Sequence, residues 1–131
     1  MHVDEILETC LYVDDLEVAE HFYCQVLGME FVNRHPGRHV FFRCGRQMLL
    51  IFDPKASSVS EDLPAHGAVP GGHVAFSVHP SSINQWRRHL EDCGVIVEKL
   101  VDWPQGQSLY FRDPAGNSLE LASRQIWGMD T

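Results

Sequence analysis

Three side chains able to hold a metal or move a proton, Glu8, His73 and Glu120, fall at matching places of a pattern that the chain contains twice. Glu120 draws the eye first. It sits between Leu119 and Leu121 in the run Ser108-Leu109-Tyr110-Phe111-Arg112-Asp113-Pro114-Ala115-Gly116-Asn117-Ser118-Leu119-Glu120-Leu121. That run reads as a β-hairpin: alternating apolar residues, a turn over Asp113 to Asn117, then alternation again. Leu119 and Leu121 point one way, and Ser118, Glu120 and Ala122 the other. A carboxylate on such a face is either bathed in water or holding something.

The second copy favours holding. An earlier hairpin runs from Val40 through Cys44-Gly45-Arg46 to Phe52. Phe42-Arg43 matches Phe111-Arg112, and Leu50-Ile51-Phe52 matches Leu119-Glu120-Leu121 at the same spacing. Upstream, Glu8 to Val13 matches His73 to Val78. Internal duplication of this kind implies two similar modules, each strand-helix-strand-strand-strand. On this alignment Glu8 and His73 are equivalents, and so are Ile51 and Glu120. Arg43 and Arg112 are also mates, and either could clamp an anionic substrate through two parallel N–H bonds; the plainer role is surface ion pairing. Tyr12, His39 and Trp103 are candidate pocket residues. His66, beside Gly67 in a long connecting stretch, is a candidate lid residue or proton shuttle.

The elements that must position these groups are legible. Ile6 to Val13 is the first strand, and Asp14 or Asp15 caps a helix that ends at Gly28. Strands at 29–33, 39–43 and 48–52 complete module one, about 5–53. Residues 54–71 form a linker, and a stretch of that length is usually functional or mobile. Module two, about 72–123, opens with a strand from His73 to Val78. A helix follows from Pro80 to Gly94, with Ile83, Trp86, Leu90 and Cys93 on its apolar face. A strand over 95–101 and the last hairpin complete it. The tail, 124–131, carries Trp127, which is expected to pack on the sheet rim or on a partner subunit.

At 131 residues the chain suits one domain with a real core. The net charge of −8, with scattered Lys and Arg, argues against nucleic acid and anionic membrane surfaces as partners. There is no apolar run near the roughly 20 residues that span a bilayer, and the start is acidic, unlike a signal peptide. Cys10, Cys24, Cys44 and Cys93 include no C-x-x-C pair. They read as reduced core thiols of a cytoplasmic protein, with Cys44 the best placed for a catalytic role.

The sequence resembles the glyoxalase / bleomycin-resistance / extradiol-dioxygenase superfamily, the vicinal oxygen chelate proteins. Four segments carry the likeness: Tyr12-Val13-Asp14-Asp15-Leu16, Phe22 to Gly28, Gly72 to Val78, and Phe111 to Leu121. The resemblance implies an α+β fold of two βαβββ modules that form a half-barrel cup, and a homodimer. It implies that metal ligands come from the first and last strands of each module. Carried over, these are Glu8, His73 and Glu120, with Glu120 doubling as a catalytic group. Ile51 falls where glyoxalase I has a further Glu, and Glu8 where extradiol dioxygenases have His. Both named chemistries therefore lack part of their donor set.

The cofactor implied is a divalent metal ion, with Mn, Fe, Co, Ni, Mg and Zn all open; oxygen-rich ligation with one imidazole is unlike a thiolate zinc site. Open coordination positions would take two neighbouring oxygens of a small substrate and polarise them. The expected activity is lyase- or isomerase-like, or dioxygenase-like. The alternative is a metal-free protein that binds a small molecule or sequesters an antibiotic. A fosfomycin-type thiol transferase is a third reading and would want a cationic pocket.

Overall fold

The computed structural model describes residues 1–59 and 61–129. The fold is α+β, and the chain divides into two compact units, one up to Gly72 and one from His73 onward. Each unit is a four-stranded sheet backed by a helix.

In the first unit the strands are β1 (Glu8–Tyr12), β2 (Glu30–His35), β3 (His39–Cys44) and β4 (Gln47–Phe52), ordered β1-β4-β3-β2. In the second they are β5 (His73–Ser77), β6 (Lys99–Trp103), β7 (Gly106–Arg112) and β8 (Ser118–Ala122), ordered β5-β8-β7-β6. In both, the first strand runs parallel to the last and the other pairs are antiparallel. The duplication is therefore real at the level of topology.

Strand alternation divides each sheet into a helix-covered face and an open face. Leu11, Val13, Val40, Phe42, Leu49 and Ile51 are buried in unit one, with Phe22 and Tyr23 from the helical segment. In unit two Leu109, Phe111, Leu119 and Leu121 are buried with Ile83 and Leu90 of the helix. Each such side chain contributes about 1.5–3 kcal/mol when taken from water.

The hairpin alignment needs one correction. Arg43 pairs with Met48, whereas Arg112 pairs with Ser118, so the second turn is one residue longer. The first strands agree: Glu8 lies beside Met48 and His73 beside Ser118. The counterpart of Glu120 is therefore Leu50, not Ile51. Burial fits, with Ile51 and Leu121 both in the core at 0% and 2% exposure. The extra residue belongs to a turn that Asp113 builds. Its buried carboxylate accepts from the Ala115 and Asn117 backbone N–H groups and from Asn117 Nδ2 at 2.8–3.0 Å. Gly116 supplies the positive φ of 94° that the turn requires.

Other departures have local causes. Helix α1 (Leu16–His21), capped by Asp15, widens over Phe22–Val26 into a π turn before Gly28. Asp53 caps a short helix, α2 (Pro54–Ser57), inside the expected linker, with Pro54 at its first turn. Residues 95–98 are not strand. After α3 (Ile83–Asp92), Val95 N–H returns to Leu90 O and Gly94 N–H to Glu91 O, closing the helix in a Schellman motif. The cysteines are free, but Cys10, Cys24 and Cys44 are only half-buried and Cys93 is exposed, so they are not core thiols. Burial raises the thiol pKa of Cys10, Cys24 and Cys44. Trp127, in a 3₁₀ turn, is 80% exposed. Among the described residues no helix is long and apolar enough to cross a membrane.

Candidate functional site

The open face of the second sheet gathers His73, Ser108, Tyr110 and Glu120. β8 places Glu120 opposite Tyr110 on β7 and beside Ala75 on β5. His73, at the start of β5, reaches Glu120 across the parallel pair: Nε2 lies 3.5 Å from Oε1. The His73 side chain is half-exposed, and Glu120 is buried.

The ring of His73 is oriented by the backbone. Its Nδ1 is 2.9 Å from Ser118 O, and a carbonyl only accepts, so Nδ1 carries the proton. In neutral imidazole that leaves the Nε2 lone pair facing a carboxylate oxygen. Two lone pairs facing each other call for a positive charge between them, either a proton on Nε2 or a metal ion.

The carboxylate is held as firmly. Ser108 Oγ donates to Glu120 Oε2 at 2.6 Å, and Trp103 Nε1–H donates to Ser108 Oγ at 2.8 Å. Tyr110 stacks near His73, with ring centroids 6.4 Å apart and planes 20° from parallel. Burial first, then the Glu120 charge, raises the Tyr110 pKa, so the phenol keeps its proton.

These atoms fit a metal ion in one specific respect. Metal-ligating histidines usually donate their other N–H to a carbonyl or carboxylate, and ligating carboxylates are themselves hydrogen-bonded. His73 and Glu120 show both features. Two metal–ligand bonds of about 2.1 Å can span donors up to roughly 4 Å apart, which accommodates the 3.5 Å separation. Within either unit, among the described residues, no group of three or more His, Cys, Asp or Glu side chains is gathered closely enough to hold a metal. Glu8 belongs to the first unit, exposed at the start of β1.

The open face of the first sheet is aromatic. Tyr12 Oη and His66 Nδ1 are 2.6 Å apart, and His66 meets Phe52 edge-on at 4.6 Å. Burial first, then the neighbouring Cys10, raises the Tyr12 pKa, so the phenol is the donor and Nδ1 the acceptor. The His66 backbone N–H also binds Ser57 O. His66 is thus anchored rather than dangling. His39 stacks on Phe41 at 3.9 Å. Its Nδ1 accepts from Arg38 and its Nε2–H donates to Asn33 Oδ1. Burial, with the Arg38 and His35 charges, holds its pKa below the ordinary imidazole range. Both nitrogens are used, so His39 is a wall of the face rather than a base.

The arginines separate. Arg112 pairs with Glu98 at 2.8 Å and donates to Gly116 O at 2.8 Å, which commits its guanidinium to the turn. Arg43 is exposed at the end of β3, opposite Glu30. A separate cleft of about 420 Å³ lies on the first unit between Leu16, Glu17, Glu20, Arg34 and the His35–Val40 hairpin.

The sheet order and the parallel closing strand define a vicinal-oxygen-chelate module, present here twice, and the second copy alone carries the donor pair on its open face. The chain belongs to the Glyoxalase/Bleomycin resistance protein/Dioxygenase superfamily, whose family model matches residues 3–121. A crystal structure of lactoylglutathione lyase from Agrobacterium tumefaciens is 45% identical, with a TM-score of 0.94 over 98% of this chain and 100% of that one. Metallothiol transferase FosB of Bacillus licheniformis is 27% identical over 88% of this chain and 72% of its own length. Catechol-2,3-dioxygenase of Bacillus subtilis is 24% identical over 92% of this chain but only 42% of its own length.

Proposed function

We propose that the protein is a metal-dependent enzyme acting on a small substrate that carries two neighbouring oxygens, in a lyase- or isomerase-like reaction. One observation carries this reading. His73 Nε2 and Glu120 Oε1 converge as lone-pair donors, while the remaining polar atoms of both side chains are tied to protein groups. The similarity to a lactoylglutathione lyase supports lyase chemistry over the other reactions of the superfamily.

His73 and Glu120 are the proposed metal ligands, and Glu8, which holds the register position of His73 in its own unit, is the proposed third. A bound divalent ion would polarise the substrate oxygens as a Lewis acid. The chain's own groups do the rest. Ser108 holds Glu120, and the Ser118 carbonyl holds His73. On the first unit Tyr12 is a proposed substrate-binding residue, and His66, held by Tyr12, is the proposed proton shuttle. Leu50 at the counterpart of Glu120 removes one carboxylate from the four-ligand design of glyoxalase I, so the substrate need not be that of the lyase relative. The proposed assembly is a homodimer.

Elemental mass spectrometry of the purified protein tests this. Near one divalent ion per chain is expected, lost in His73→Ala and in Glu120→Ala. No ion, even after reconstitution, overturns the reading. One observation favours a metal-free binding protein instead: neither unit alone gathers three donors among its described residues. In that case elemental analysis finds no ion, and a thermal-shift screen of small molecules finds a ligand that raises the unfolding temperature.

A further inference from the structure

The two oxygens of Glu120 are treated differently. Oε1 faces His73, whereas Oε2 receives the Ser108 hydroxyl at 2.6 Å. A serine hydroxyl normally turns freely, but this one cannot. Ser108 is fully buried, and its oxygen already accepts the Trp103 indole N–H at 2.8 Å. An indole nitrogen only donates. The single hydrogen of Ser108 is therefore left for Oε2. Trp103 and Ser108 are near neighbours on one face of the β6–β7 pair, since Trp103 pairs with Gly106 and Val101 with Ser108. Trp103 thus has a task besides offering a ring to substrate.

We infer that Ser108, oriented by Trp103, is a positioning residue that keeps Glu120 a one-oxygen ligand and so sets which divalent ions the site accepts. The inference rests on reading His73 and Glu120 as metal ligands. A carboxylate with one oxygen bound by a strong, charge-assisted hydrogen bond offers only the other to a cation. Large ions such as Ca²⁺ gather many oxygens and often take both from one carboxylate, whereas smaller octahedral ions take one. A one-oxygen Glu120 therefore disfavours Ca²⁺ and leaves more of the coordination sphere for substrate. Releasing Oε2 lets the carboxylate swing to two-oxygen binding, which helps the larger ion and loosens the smaller one.

The test compares Mn²⁺ and Ca²⁺ affinities by calorimetry for the full chain, stripped of metal, as wild type, Ser108→Ala, Ser108→Thr and Trp103→Phe. Wild type is expected to prefer Mn²⁺. Ser108→Ala should lower the Mn²⁺-to-Ca²⁺ preference about 10-fold or more, the scale of losses at groups that orient metal ligands. Ser108→Thr, which keeps the hydroxyl, should restore it, and Trp103→Phe should fall between. An unchanged preference in Ser108→Ala, with both ions still bound, overturns the inference and leaves the metal reading standing. Wild type that binds neither ion overturns both. If Ser108→Ala does not fold, Trp103→Phe decides, because the indole is 43% exposed and its loss spares the core; an unchanged preference there overturns the inference.

Discussion

Replacing Glu120 by the residue that its counterpart carries separates a functional carboxylate from a structural one. Leu50 is 8% exposed and Glu120 7%, so the two sites are alike in burial. In Glu120→Leu the fold loses a desolvated charge together with its bond from Ser108 and its pairing with His73. Desolvation costs several kcal/mol per buried ion, and each hydrogen bond to a charged group returns about 1.5–3 kcal/mol. These terms roughly cancel. The leucine then adds about 2 kcal/mol of apolar burial. Against that, the Ser108 hydroxyl, fully buried, loses its acceptor at about 1–3 kcal/mol.

The single variant should therefore match wild-type stability. The double variant Glu120→Leu/Ser108→Ala, which also removes the orphaned hydroxyl, should be more stable by about 2 kcal/mol. Trp103 itself is 43% exposed, so its indole can turn the N–H left behind to water. Urea unfolding with chelator present measures both, and metal binding by the double variant should vanish. A double variant less stable than wild type by more than about 1 kcal/mol would show that the carboxylate serves the fold, and the argument from converging lone pairs would fail. Stability gained on removing a polar group is the usual mark of a site kept for function.

Asp113→Ala should cost about 3 kcal/mol in urea unfolding. The carboxylate accepts three hydrogen bonds inside a buried turn, and bonds to a charged group at about 1.5–3 kcal/mol each do not add fully. Because the His39 pKa is held down in the fold, the folded state binds fewer protons than the unfolded chain just below the unperturbed value of about 6.5. Stability should fall as pH drops through that window, and His39→Phe should flatten the loss in a pH series of thermal unfolding. Tyr12→Phe removes the hydroxyl that holds His66. At about 1 kcal/mol for one hydrogen bond, broad-specificity proteolysis between residues 61 and 71 should quicken about 5-fold.

Much of the architecture was legible because period-two alternation, a capping aspartate and turn residues are written locally. The helix start at Asp15, the hairpin turn at Asp113 to Asn117 and the placement of Glu120 on the polar face of β8 all follow from such signals. What escaped was non-local or depended on direction. α2 was hidden because Asp53-Pro54 signals a turn as readily as a helix start. Ser108 looked like one more polar residue on an alternating strand, since its importance lies in where one hydrogen points and which indole is near. Arg112 makes the surface ion pair that is its plainer expectation, but Glu98 was hidden as the partner because it sits before β6 in a stretch that reads as strand.

The register error is the most instructive. Apolar matching accepts Leu50-Ile51-Phe52 against Leu119-Glu120-Leu121 in more than one register, because all three residues of the first run are apolar. A strand shifted by one residue turns every side chain to the other face, so the choice decides whether the counterpart of Glu120 lies in the core or on the open face. Only turn length settles it, and the longer turn exists because Asp113 gathers three hydrogen bonds around it. Leu50 then shares its face with Tyr12 and Phe52, and the two open faces have diverged: one became apolar, and the other kept the carboxylate that faces His73.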